Sequence, residues 1–165
     1  MLFKFLGGLD RKGLVEQAEA HCDIPCGIYD PMPALIAAVS VVRLMDIMKE
    51  GAAKQADAAA LHNLLARNAL RKEEEAEKVK HEIRVIWGDY FKGPLLEKHP
   101  DIHSLTHSIM LKASACKQDV HREDGEALVE LVNQFAEKFW DTKDKKTKRL
   151  KTPYAPNMEI VHPVL

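Results

Sequence analysis

No run of apolar residues in this 165-residue chain approaches the ~18 that a membrane helix needs, so no spanning segment is expected. Charge of one sign is also missing. The formal net charge is −1, which gives no whole-molecule argument for a nucleic acid or membrane partner. Cysteine is scarce. Three residues, Cys22, Cys26 and Cys116, are an odd and small number that argues against a secreted disulfide scaffold. They fit a reducing compartment, with a cytoplasmic location expected, where close cysteines more often bind metal or do redox chemistry. No internal repeat appears, and no alternating strand pattern of useful length. What remains is an ordinary globular composition, 46% hydrophobic and 30% charged, in a chain long enough for one well-packed domain.

The apolar residues recur at helical spacing. Pro31 and Pro33 mark a boundary, after which Ala34 to Met48 is polar only at Ser40, Arg43 and Asp46. That length and composition predict a largely buried helix ended by Gly51. From about Ala56 to Phe91, Leu61, Leu65, Ala76, Val79, Ile83, Ile86 and Tyr90 repeat at three and four residues, predicting a long amphipathic helix. Glu73, Glu74, Glu75 and Glu77 read as its solvated face. A third helix is expected from Pro100, with Ile102, Leu105, Ile109, Ala113 and Cys116 as its stripe. A fourth runs from about Arg122 to Thr142. Four helices with short Gly/Pro turns predict an all-α fold, an antiparallel up-and-down four-helix bundle over 34–142. The segment from Lys143 to Leu165 is basic and then Pro-containing. Its basic run lacks interleaved aromatics, so an extended arm on a neighbouring subunit is expected rather than a nucleic acid tail.

The chemistry concentrates ahead of the bundle, in AHCDIPCGIYDP at 20–31. A metal bound at His21-Cys22 would close a five-membered ring through the Cys22 amide nitrogen and sulfur. With His21 as the first residue, its amine would close another, and its imidazole could approach axially. Cys26 returns a second sulfur through a hook made easy by Pro25 and Gly27. Two nitrogens and two sulfurs in a plane suit nickel(II) or copper(II) better than tetrahedral zinc. By spacing alone C-x3-C is a weak motif, and two packed thiols would also account for it.

This geometry needs a free amine on His21, which gives the first twenty residues a meaning. MLFKFLGGLDRKGLVEQAEA begins apolar, is broken by Lys4 and Gly7-Gly8, and then carries five charges from Asp10 to Glu19. A secretory signal has its charges first and a longer apolar core. A removable leader at 1–20, cut after Ala20 by a protease, is expected instead.

HCDIPCGIYDP resembles the nickel hook of the nickel superoxide dismutase family. WGDYFKGPLLEKHPDIHSL at 87–105 and KFWDTK at 138–143 resemble two further segments of the same family, so the resemblance spans about 21–143. It implies conversion of superoxide to dioxygen and hydrogen peroxide, with one nickel per subunit cycling between Ni(II) and Ni(III). It implies His21, Cys22 and Cys26 as metal ligands and Tyr29, Asp23 and Tyr90 around the active pocket. It places Lys92 in the access region and makes the assembly a homohexamer of four-helix bundles. The chain departs from the family at two places. The glutamate that holds the axial histidine in the family falls at Ala37 here, and its arginine partner at Glu75, so a backbone carbonyl or another side chain is expected to hold the His21 ring. Two other functions fit the residues: a non-catalytic nickel or copper store or sensor, and a thiol-redox protein using a Cys22–Cys26 disulfide. His103 and His107, one helical turn apart, read as surface residues, and Cys116 as a core thiol.

Overall fold

The computed structural model describes residues 27–165. The described chain forms α1 (Met32–Lys54), α2 (Ala58–Val85), a π-helical turn (Ile86–Tyr90), the short α3 (Pro94–Lys98), α4 (Ile102–Gln118), α5 (Arg122–Asp141) and a hairpin of β1 (Thr147–Lys151) and β2 (Glu159–Pro163). The four long helices pack cyclically, α1 on α2, α2 on α4, α4 on α5 and α5 back on α1. This is the expected four-helix bundle.

Local chemistry fixes the helix ends. The Asp30 carboxylate accepts the Met32 N–H at 2.7 Å, and Pro33 occupies the first turn of α1. Gly51 does not end α1. The helix runs past it to Lys54, and the stop comes where Asp57 caps α2 by accepting the Ala60 N–H at 2.7 Å. Pro100 also lies outside its expected helix, in the turn between α3 and α4.

The core is aliphatic between the helices and aromatic at one end. Leu35, Val42 and Met45 of α1 meet Val79 and Ile83 of α2, Ile109 of α4 and Leu128 and Val132 of α5 in one buried cluster. Gly125 sets how closely α5 approaches α1, since a Cβ there would lie 2.9 Å from Val42 Cγ2. The aromatic end gathers Tyr90, Phe91, Phe135, Phe139 and Trp140 in edge and tilted contacts with centroids 5.0–5.6 Å apart.

The C-terminal segment departs from expectation. It is a β-hairpin folded onto its own bundle, with antiparallel pairs from Thr147–Pro163 to Lys151–Glu159. Ile160 and Val161 are buried against α5. The cationic charge of β1 is in part neutralised there. Arg149 donates to both carboxylate oxygens of Glu130, at 2.6 and 3.0 Å, and to Glu137 at 2.8 Å. A flexible basic arm would lose more side-chain freedom than an exposed ion pair returns. The buried Ile160-Val161 pair supplies the difference.

Candidate metal centre

The four residues His21, Cys22, Asp23 and Cys26 lie outside the described residues. The described chain begins immediately after Cys26. Gly27 has φ 88, in the left-handed region that glycine enters without penalty, so the chain turns sharply there. The turn delivers Tyr29 to the aromatic end of the bundle. Its ring lies 5.5 Å from that of Tyr90, tilted by 47°. Thus two of the expected pocket residues, far apart in sequence, form a pair, and one of them, Tyr29, follows the expected ligands closely in sequence.

Tyr90 owes its place to the π-helical turn. The wide turn is closed by the Phe91 N–H reaching back to the Ile86 carbonyl at 3.4 Å. Regular α-helical spacing was expected through Phe91. The extra residue per turn instead lets Tyr90 and Phe91 both join the aromatic cluster, with Tyr90 half-buried and Phe91 buried. The Tyr90 ring packs at 5.0 Å on Phe139 of α5. Its phenol oxygen is 2.6 Å from the Thr142 hydroxyl. The Lys143 ammonium sits over the same ring, 4.7 Å from its centroid. Sequence reasoning passed over Thr142 and Lys143 as site residues. The signal available was their place in the matching KFWDTK segment. Lys92, two residues beyond Tyr90, is exposed.

The surrounding charges are arranged in pairs. Lys98 bonds Asp141 at 3.0 Å and, with His99 behind it, holds the Asp141 carboxyl below the usual carboxylate range. The Lys138 ammonium does the same to Asp101.

The position where the family places its glutamate is Ala37, fully buried in α1. The position of its arginine partner is Glu75, half-buried on α2. Ser40 and Arg43 of α1, Arg71 and Glu75 of α2 and the hairpin tip at Tyr154-Ala155 line a common pocket of about 330 Å³.

The donor chemistry fits nickel. Two thiols, an imidazole and an amide nitrogen within six residues make a soft, strong-field set. The described residues hold no rival: no group of three or more His, Cys, Asp or Glu is placed to hold a metal ion there. His103 accepts the Trp87 indole N–H through Nδ1 at 2.9 Å. Cys116 is buried, and desolvation pushes its thiol up to about 11, far from the thiolate a metal takes.

The fold defines a helical bundle, and the donors expected ahead of it are those of a metalloenzyme. The pattern of the nickel-containing superoxide dismutases matches residues 16–143. The chain is 36% identical over 127 residues to the nickel superoxide dismutase of Streptomyces seoulensis, covering 77% of this chain and 91% of that protein. It is 37% identical over 124 residues to that of Streptomyces coelicolor, covering 75% and 88%. The crystal structure of a nickel-containing superoxide dismutase with oxidised-state nickel ligation superposes with a TM-score of 0.66 at 35% identity, covering 75% of this chain and 99% of that one. A native nickel superoxide dismutase structure gives 0.65 at 36%, over 74% and 99%. This chain therefore belongs to the nickel-containing superoxide dismutase family. It is a nickel-dependent oxidoreductase. Among its described residues no helix is long and apolar enough to cross a membrane.

Proposed function

We propose that this protein converts superoxide to dioxygen and hydrogen peroxide at a nickel ion held by His21, Cys22 and Cys26, with Asp23, Tyr29 and Tyr90 forming the pocket around it. Nickel bound by two thiolates supplies a one-electron couple between its divalent and trivalent states. The protein's own contribution is position and access. Tyr29 and Tyr90 wall the approach with two rings, leaving room for a small anion. Lys92 and Lys143 add positive charge on the approach side, which raises the encounter rate of an anionic substrate. The observation that carries this reading is the Tyr29–Tyr90 ring pair, 5.5 Å apart, in which Tyr29 comes three residues after Cys26 in sequence.

The reading extends to processing and assembly. A protease removes residues 1–20, so that His21 gains the free amine the ligand set requires. The processed chains form a homo-oligomer, a hexamer, in the cytoplasm. The test is intact mass, nickel content and superoxide consumption on one preparation. One nickel per chain starting at His21, with rapid dismutation, is the expected result. Stoichiometric nickel without dismutation would point to storage or sensing. A Cys22–Cys26 disulfide without nickel would point to thiol-redox chemistry.

A further inference from the structure

The bond between Tyr90 and Thr142 has a direction that the neighbouring bond determines. The Thr142 hydroxyl also lies 2.6 Å from the Phe139 carbonyl oxygen. A carbonyl can only accept, and a threonine hydroxyl has one proton. Thr142 donates to Phe139, so in the 2.6 Å contact with Tyr90 it accepts, and the Tyr90 phenol is the donor. The Tyr90 proton thus points at the end of α5.

The end of α5 is itself firmly placed. The Thr142 N–H bonds the Lys138 and Phe139 carbonyls at 3.2 and 3.1 Å, and the Lys143 N–H bonds Trp140 at 3.0 Å. Asp144 then takes φ 55, which closes the helix. The Lys143 ammonium lies 4.7 Å from the Tyr90 ring centroid and 5.9 Å from that of Phe139, within cation–π range. The nearby Asp141 and Asp144 both pair with Lys98, at 3.0 and 4.0 Å.

We infer that Thr142 and Lys143 are positioning residues of the nickel site. Thr142 accepts the Tyr90 phenol hydrogen bond and fixes the ring. Lys143 puts a positive charge over the Tyr90 ring, on the approach side, where it attracts the anionic substrate. Tyr90 is then a wall and not a proton donor. Two superoxide ions and two protons give one dioxygen and one hydrogen peroxide, and those protons come from groups other than Tyr90.

This rests on Tyr90 facing the nickel pocket, and the test separates the two ideas. The first measurement needs no metal. Urea unfolding of the full chain with Thr142→Val, Tyr90→Phe and both together should show coupling: the double variant is no less stable than the weaker single variant. Strictly additive shifts of the midpoint would overturn the bond. The second uses the nickel-loaded processed protein. Lys143→Met should lower kcat/KM about threefold at low salt with kcat unchanged, the loss vanishing at high salt and being rescued by Lys143→Arg. A salt-independent loss would refute the electrostatic role. Tyr90→Phe should keep kcat within about threefold, because removing a general acid costs about a hundredfold or more. A drop of that larger size would return the proton to Tyr90. Wild-type protein that binds nickel and consumes no superoxide would sink the functional reading alone, since the unfolding cycle is still read.

Discussion

Asn133 and Val161 meet through a buried bond: the Val161 N–H donates to Asn133 Oδ1 at 2.9 Å, while the same carboxamide donates through Nδ2 to the Glu159 carbonyl at 2.9 Å. One side chain of α5 thereby replaces a missing sheet neighbour for β2. Asn133→Leu should unpair both backbone groups and cost about 2–4 kcal/mol. Hydrogen exchange at the Val161 amide should accelerate much more than exchange in α1, if the hairpin loosens as a unit.

The hairpin contact should weaken in acid. Hydrogen bonding from Arg149, then from Gln134, with the Arg149 charge added, holds the Glu130 carboxyl below its ordinary 4.5. A depressed carboxylate stabilises the fold fully above its unfolded value, and the contribution disappears as pH falls through the folded one. Glu130→Gln should therefore flatten the stability profile below about pH 4.5, measured by urea midpoints across pH. An unchanged acid limb would show that the pair contributes nothing to folding.

Lys72 closes the opposite end of the molecule. Its buried ammonium donates to the carbonyls of Cys116, Lys117 and Asp119, the last groups of α4 and the residue after it. Lys72→Met keeps the stem and removes three bonds, and should cost about 2–4 kcal/mol in urea unfolding. Lys72→Arg should recover little, because a planar fork does not converge on three carbonyls as an ammonium does.

Removing nickel should leave the bundle standing. Among the described residues one buried cluster, drawn from residues 34–161, ties the four long helices together. Chelation of the processed protein should abolish superoxide consumption yet leave far-ultraviolet circular dichroism unchanged. Wholesale loss of helix on chelation would place the metal among the groups that hold the fold.

Alkylation should sort the cysteines. With its thiol pushed up to about 11 and no exposed surface, Cys116 is about one part in a thousand thiolate at pH 8. In folded metal-free protein iodoacetamide should label Cys22 and Cys26 and spare Cys116, which reacts only after unfolding. Mass spectrometry of the labelled peptides decides it.

The helices were legible because each long one shows its neighbours a stripe at three- and four-residue spacing. The hook was legible because its ligands are contiguous in sequence. The hairpin was hidden for a physical reason. TKRLK is almost wholly exposed and EIVHP buries two adjacent residues, so neither strand alternates. The π-helical turn was hidden because Ile83, Ile86 and Tyr90 satisfy ordinary helical spacing equally well. Thr142 acts through a hydroxyl that points back at its own helix, a role that residue type alone does not announce. Nothing in the sequence or structure says what replaces the missing glutamate and arginine at Ala37 and Glu75.

A π-helical turn is equivalent to one residue inserted into an α-helix. This gives the segment Ile86–Tyr90 an unusual mutational character. Point substitutions at positions other than Tyr90 keep its length and register; at Gly88 an added Cβ meets nothing within 4 Å. A single deletion does the opposite. It would rotate everything after it by about 100° around the helix axis and bring a different side chain to the place Tyr90 occupies. In evolutionary terms the turn is tolerant of spelling and intolerant of length. Natural variants should therefore differ here by exchange of residues and not by their number.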